Sequence, residues 1–360
     1  MPSLPYAPRF YDPRRIAYAA ELAHGTDHFH EPRREDCPWC GSGRLRTRLC
    51  APDLLQHKPG SFTVDQCRDC GHAFQNPRLT PEGLAFYHRD YDETDPDGLP
   101  DPVLAARRSH RRHRSDARLL WHVGEPESWL DVGTGHGHFP EAAREVFPYT
   151  SFDGLDPTPR VQRARRAGRV EEAHIGHLAD PDITARLRGR YDVVSVFHHL
   201  AHVPDPRAEL RGALNALRPG GHLLIELPDP GSAFALLLGR WWLPHGQPRH
   251  LHLMPLHNLR AELESRGCTV LVTDRRTPHT PNDLSAALAL ALTHFLPAAD
   301  APWHATPPSD LQRALRTLLA AATSPLVDAA AAVDLALSPL LSRIPGFSNT
   351  YRVVARRDTA

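Results

Sequence analysis

Four cysteines at two-residue spacing are the first side chains able to do chemistry together: Cys37 and Cys40 in CPWCG, and Cys67 and Cys70 in CRDCG. Two intervening residues let both thiolates of a pair turn toward one ion. The glycines that follow, Gly41 and Gly71, permit the left-handed turn that aims backbone N–H groups at sulfur. Four thiolates fill a tetrahedral zinc shell and leave no position for water, so the predicted site is structural. It would staple residues 37–78, a stretch too short to bury much core. The alternatives are unmetallated thiols or a redox pair. Redox is disfavoured because neither pair reads as the strand-to-helix turn of a βαβ unit. His72 could replace a cysteine but is redundant beside four, and Cys50 and Cys268 read as small buried residues.

The second constellation is LDVGTGHGHF, Leu130–Phe139, in which an apolar run ends in Asp131 and then Gly133, Gly135 and Gly137. A dinucleotide site would space its glycines G-x-G-x-x-G, whereas this loop reads G-x-G-x-G. Asp156, in GLDP, is placed at a second strand end to accept hydrogen bonds from two ribose hydroxyls. That acid is shared with dinucleotide proteins; the acid before the glycines discriminates. A carboxylate beside a pyrophosphate is repelled, but beside the ammonium of an amino-acid-bearing cofactor it is favourable.

Positioning these groups requires a sheet. After Glu127 the candidate strands are SWLDVG, SFDGLD, EEAHIGHL, YDVVSVFHH, HLLIELPD, CTVLVTDR and SNTYRVVARR, with FPEAAREVF, PRVQRARRA and PRAELRGALNAL as helices between the early ones. Short apolar strands alternating with helices predict a mainly parallel sheet covered on both faces, with ligands at the carboxyl ends of its strands. Upstream, a helix from Pro81 to Tyr87 is predicted with Thr80 as its N-cap. A linker follows over 92–102, then a helix with Leu104, Ala105, Leu119, Leu120 and Val123 as buried positions.

With these residues in place, the sequence resembles the class I S-adenosylmethionine-dependent methyltransferases. The resemblance is carried by LDVGTGHGHF, GLDP, the run YDVVSVFHHLAHVPDPRAELRGALNALRPGGHLLIELPDP, and RHLHLMPLHNLRAELESRG, in the family's order over residues 128–268. The front end is similar to a subgroup in which a zinc ribbon and a Y-x-x-D-Y segment, here YHRDY, precede that domain; its members act on sugars and other small metabolites. The resemblance implies an α/β, Rossmann-like, seven-stranded mostly parallel sheet whose last strand, SNTYRVVARR, is antiparallel beside the sixth. It implies S-adenosyl-L-methionine as cofactor. Gly133, Thr134, Gly135 and Gly137 would line its methionine part, with Asp131 orienting it. Asp156 would hold the ribose, His177 and Leu178 flank the adenine, and Phe197 and His198 face the sulfonium.

If the acceptor is a hydroxyl or an acidic C–H, a base must take a proton. His250 and His252, in PRHLHLMP, are the candidates. His252 matches a histidine that reaches the acceptor in the sugar-methylating relatives, but Leu251 stands where those carry an acid, which counts against sugar C-methylation. Tyr87 and Tyr91 could close over the site, and Glu226 is a weaker candidate; packing within the fold is the plainer reading of each. His198, His199 and His202 invite a metal, but no carboxylate accompanies them at ligand spacing, and a turn before the helix at Pro206 is the simpler role.

The bulk numbers set limits. The 42 basic and 42 acidic side chains cancel, so no whole-chain field draws the protein to nucleic acid, and the arginine runs at 107–114 and 160–169 read as solvated helix faces. No signal peptide is visible. The apolar run Leu284–Leu296 is shorter than the ~20 residues a spanning helix needs, so no transmembrane segment and a cytoplasmic location are expected. The predicted units are 1–36, a ribbon at 37–78, linker and helices at 79–125, a core at 126–276, a helical insertion at 277–346 and a last strand at 347–360. The insertion is expected as helices broken at Pro297, Pro307, Pro308, Pro325 and Pro339, capped by Asn282 or Asp283 and by Ser309, with Asp328 and Asp334 opposing a bilayer span. It could be a lid, a patch touching a lipid carrier or a homodimer face, or simply pack on the core. Methyl transfer to a small molecule is the leading expectation. A nucleic-acid base methyltransferase using the ribbon, and a binding module without turnover, are the alternatives.

Overall fold

The computed structural model describes residues 12–91, 102–277 and 280–359; the expected linker lies almost wholly outside these. At the front, β1 (Leu45–Ala51), β2 (Phe62–Cys67) and β3 (Ala73–Gln75) form an antiparallel sheet between and beyond the cysteine pairs. Its fourth strand comes from far along the chain: β9 (His252–Leu253) pairs with β3. The ribbon is therefore completed by the core, and Cys37, Trp39, Cys67 and Phe74 share a buried cluster with core residues such as Leu130 and Val196.

The seven predicted core strands form one sheet. They are β4 (Ser128–Val132), β5 (Ser151–Asp156), β6 (Ala173–Ile175), β7 (Tyr191–Phe197), β8 (Leu217–Pro228), β10 (Cys268–Asp274) and β11 (Thr350–Arg357). Their order is β10-β11-β8-β7-β4-β5-β6, with β11 antiparallel to both neighbours and the central strands parallel. Helices cover both faces, which is why Val193, Val194 and Val196 of β7 can run without polar alternation. Helix α2 (Pro81–His88) starts as predicted, with Thr80 accepting from Gly83 N–H. Helix α3 (Pro102–Arg118) leads to a buried Leu120, but Val123 is 40% exposed, and Cys50 is exposed too, contrary to expectation.

The insertion departs most from its sequence reading. Helix α10 (Asp283–Phe295) lies beside α11 (Asp310–Leu341), which runs unbroken through Pro325 and Pro339. A proline strips a donor from the carbonyl four residues back. For Pro325 that carbonyl is Ala321, and Ser324 Oγ donates to it at 3.2 Å; Pro339 falls in the last turn. Ser309 caps α11 in a full capping box with Gln312. The start of α10 is capped not by Asn282 or Asp283 but by Asp334 of α11, which accepts from Leu284 N, Ser285 N and Ser285 Oγ at 3.1, 2.9 and 2.7 Å. Among the described residues, α11 alone has the length and composition to cross a membrane, which the shorter run Leu284–Leu296 does not.

Candidate active site

β4 ends at Val132 and the chain turns through Gly133 and Gly135 at φ 74° and 53°, with Gly137 at 75°. Such left-handed positions strain any residue with a Cβ. A Cβ on Gly133 would also lie 3.1 Å from the His199 side chain, and one on Gly137 3.0 Å from Ala164 Cβ. Gly133 N and Thr134 N donate to Leu155 O, and Gly135 N donates to Asp156 Oδ2 at 3.0 Å. Asp156 Oδ1 accepts from Thr158 N at 2.8 Å and from its hydroxyl. The acid thus locks the glycine loop to the tip of β5.

Asp131 is buried below the loop. Ser195 Oγ donates to it at 2.6 Å, itself accepting from Trp129 Nε1 at 2.9 Å. Burial pushes its carboxyl up to about 7, against the Ser195 and Thr134 hydroxyls that face it. A cation alongside would hold it ionised.

β6 leads into His177 and Leu178. Leu178 N donates to Glu209 Oε2 at 3.1 Å, and Glu209 comes from α7 (Pro206–Ala216). His177 Nδ1 lies 3.4 Å and His199 Nε2 3.8 Å from the Glu209 carboxylate, within ion-pair range but misaligned for hydrogen bonds. Burial opposes the Glu209 charge, yet the two histidines bring its carboxyl down to about 2; Glu209 in turn raises His177. Glu209 was not singled out in the sequence, because a glutamate in PRAELRG reads as solvent-facing. The available signal was Gly212 three residues on, where a Cβ would meet Leu178 O at 2.4 Å, so that helix face lies against the core. The histidine grouping that could ligate is therefore His177, His199 and Glu209, not His198, His199 and His202; Asp153, Glu172 and His174 form another such group. Thr134 Oγ1, His177 Nδ1 and His199 Nε2 are buried without hydrogen-bond partners in the chain.

Beyond β7 and β8 a second group gathers. His198, at φ 57°, contacts Glu226 Oε1 through its ring at 2.9 Å. Glu226 also pairs with Arg352, which lies 3.2 Å from Asp116. Glu226 is fully buried in this network, which removes it as a base. His202 Nδ1 is 3.2 Å from Arg249 O, and its ring packs edge-on against His250 at 4.6 Å. His250 Nδ1 donates to Pro244 O at 2.8 Å, and burial brings its pKa down to about 3. The Arg249 guanidinium lies over the Tyr91 ring at 4.0 Å, with Nη1 on Gln56 Oε1 and Nη2 buried without a partner.

Of the other nominated residues, two lie elsewhere. His252 sits on β9 with Nδ1 3.1 Å from His72 Nε2 and Nε2 3.3 Å from Pro204 O, and burial lowers it to about 4. Both ring nitrogens are engaged, so it ties ribbon to core and has none left for an acceptor proton. Tyr87 is buried among Tyr18, Phe29, Phe62 and Phe86, its hydroxyl on Pro59 O. Phe197, at the end of β7, packs at 4.6 Å on Phe139, two residues beyond Gly137, and so stays beside the glycine loop.

In the ribbon, Cys37 Sγ is 3.7 Å from Cys70 Sγ and Cys40 Sγ is 3.6 Å from Cys67 Sγ, and all four sulfurs lie within 4.8 Å of one another. A tetrahedral ion with ~2.3 Å metal–sulfur bonds needs edges of about 3.8 Å. Trp39 N and Asp69 N point at Cys37 and Cys67 sulfurs, and Gly41 and Gly71 take φ 75° and 70°. The donor set and its spacing fit zinc.

A parallel sheet with an inverted last strand, a glycine turn after its first parallel strand and an acid at the tip of the next define a Rossmann-like cofactor-binding α/β domain. The family model described as "Methyltransferase domain" matches residues 105–273, and this part of the chain is a class I S-adenosylmethionine-dependent methyltransferase domain. The chain is 32% identical over 127 residues to the ubiquinone biosynthesis O-methyltransferase of Xanthomonas oryzae pv. oryzae, covering 34% of this chain and 53% of that protein. It is 35% identical over 99 residues to the protein of that name from Serratia proteamaculans, covering 27% and 41%. The chain thus spans about half the length of the curated relatives it matches or less. A SAM-dependent methyltransferase from Archaeoglobus fulgidus superimposes with a TM-score of 0.41 at 16% identity, over 71% of this chain and all of that one.

Proposed function

We propose that the protein transfers a methyl group from S-adenosyl-L-methionine to a hydroxyl of a small-molecule acceptor, and that Cys37, Cys40, Cys67 and Cys70 hold a structural zinc ion. The observation carrying this reading is the turn through Gly133, Gly135 and Gly137 set between two acids, the buried Asp131 behind it and Asp156 at the next strand tip. Thr134 lies in the loop and His199 packs against Gly133, while burial pushes the Asp131 carboxyl up to about 7. Acids so placed suit a cationic nucleoside better than a phosphorylated one. Asp131 would neutralise the cofactor's ammonium beside Gly133, Gly135 and Gly137, Asp156 would take the ribose, and His177 and Leu178 the adenine. When bound, the cofactor supplies a methyl group already activated by positive sulfur.

His250, His202, Arg249 and Tyr91 form the acceptor side. His250 stays neutral at physiological pH, so its ring can accept a hydrogen bond from the acceptor hydroxyl and orient it. Its low basicity still suffices, because an alkylated hydroxyl is a far stronger acid than imidazolium. The likeness to two O-methyltransferases supports oxygen as the acceptor atom. The reduced thiolates of the zinc site suit the cytoplasm. Calorimetry with S-adenosylhomocysteine and with a nicotinamide dinucleotide tests the cofactor. A labelled-methyl assay on metabolite pools, read by mass spectrometry, tests the acceptor. Binding of the dinucleotide with no heat from S-adenosylhomocysteine overturns the reading.

A further inference from the structure

Helix α11 carries a row of nine apolar residues: Leu311, Leu315, Leu318, Ala322, Leu326, Ala329, Val333, Leu337 and Leu340. They recur at steps of four, three and four, a repeat of eleven. Eleven residues make three helical turns to within about 20°, so the row runs straight along one face. Every member is exposed, Leu311 at 78%, Leu318 at 66%, Leu326 at 56% and Leu340 at 55%. Asp334, buried against α10, marks a different face, and no charge interrupts the row. An exposed apolar surface of this length marks a binding partner.

We infer that the row is the interface of an antiparallel, two-fold dimer of this chain. The order Leu, Leu, Leu, Ala, Leu, Ala, Val, Leu, Leu reads nearly the same from either end. An antiparallel pairing about Leu326 therefore sets Ala322 against Ala329, Leu318 against Val333, Leu315 against Leu337 and Leu311 against Leu340. That self-complementarity is what a two-fold interface requires. The helix dipoles also oppose. A strip about 44 Å long and roughly 10 Å wide buries about 900 Å² in total, below the ~1,200 Å² of stable specific interfaces, so the dimer is weak and dissociates on dilution. A lipid surface fits less well. From Thr317 to Ser342 the only charged residues are Asp328 and Asp334, whereas interfacial helices carry a basic polar face.

Sedimentation of the full chain over a wide dilution series should show the mass doubling with concentration. Leu326→Glu places two charges at the axis and should weaken the dimer by about 100-fold or more, with the melting temperature of the monomer unchanged because the position is exposed. In a Cys50→Ser background, Leu326→Cys should cross-link between chains under mild oxidation, and Leu335→Cys, off the row, should not. Three results overturn the inference: a monomer at every concentration, a dimer that survives Leu326→Glu, or a monomer that floats with phosphatidylcholine–phosphatidylglycerol vesicles and loses this on Leu326→Glu.

Discussion

The knuckles at Cys37 and Cys67 and the loop at Gly133 use one device to opposite ends. Each is a short turn in which left-handed glycines let backbone N–H groups converge. In the ribbon, N–H groups and four sulfurs converge on one another, and the turns are clamped to the core. Cys70 O accepts from His257 and Asn258, and Arg207 lies over Trp39 at 4.1 Å. At Gly133 the turn is fixed by Leu155 O and Asp156, with the buried Asp131 carboxyl behind it. The first turn is clamped by the core; the second, in the function proposed above, presents its acids to a cofactor. Among the histidines, both ring nitrogens of His252 are engaged within the fold, whereas His250 is the one proposed above to orient the acceptor.

Removing the metal ligands is the harshest test. Cys37→Ser with Cys67→Ser should lower the melting temperature by about 10 °C or more and abolish bound zinc on elemental analysis, since a structural ion contributes directly to folding. If the ribbon were decorative, neither the melt nor methyl transfer would change. Next, His250→Asn should lower kcat by about 100-fold, while His252→Asn should leave kcat within about twofold but destabilise the chain. Equal losses of kcat in both variants would erase the division between them.

Acid should act on two buried histidines, His252 on β9 and His245, whose ring nitrogens are buried without a hydrogen-bond partner among the described residues. His252 and His245 fall to about 4 and about 3 by burial, so the unfolded chain, at about 6.5, takes up protons first. Their stabilisation is full above pH ~6.5 and is lost as pH falls toward 4, by up to ~3 kcal/mol per group. Thermal melts at pH 7.5 and 5 should show this, and His252→Gln should flatten the slope. Gly133→Ala, strained by its φ and crowding His199, should weaken S-adenosylhomocysteine binding about tenfold by calorimetry without unfolding the ribbon. The smallest effect belongs to Ser309→Ala, which removes the capping box of α11 at a cost of about 1 kcal/mol, seen as a small drop in helix melting by circular dichroism.

Much of the site was legible before the fold. Asp131, the three glycines and Asp156 occupy one loop and one strand tip because their chemistry is local: positive φ, and an acid one strand away. Glu209 was not legible, since nothing near it in sequence says that its helix face meets Leu178. His252 misled because a match in position along the chain does not report which neighbours its ring meets. Pro325 misled because the nearby Ser324 hydroxyl replaces the lost donor.

The sequence alone determined the strand and helix alternation, the thiolate quartet, the glycine turn and the caps at Thr80 and Ser309. Each depends on contacts within a few residues, or on spacing that admits few geometries. Tertiary structure alone decided that both ring nitrogens of His252 are engaged within the fold, that β9 finishes the ribbon, and that the apolar row of α11 faces outward. Those outcomes depend on which surfaces distant segments bury, and residue order does not encode that locally.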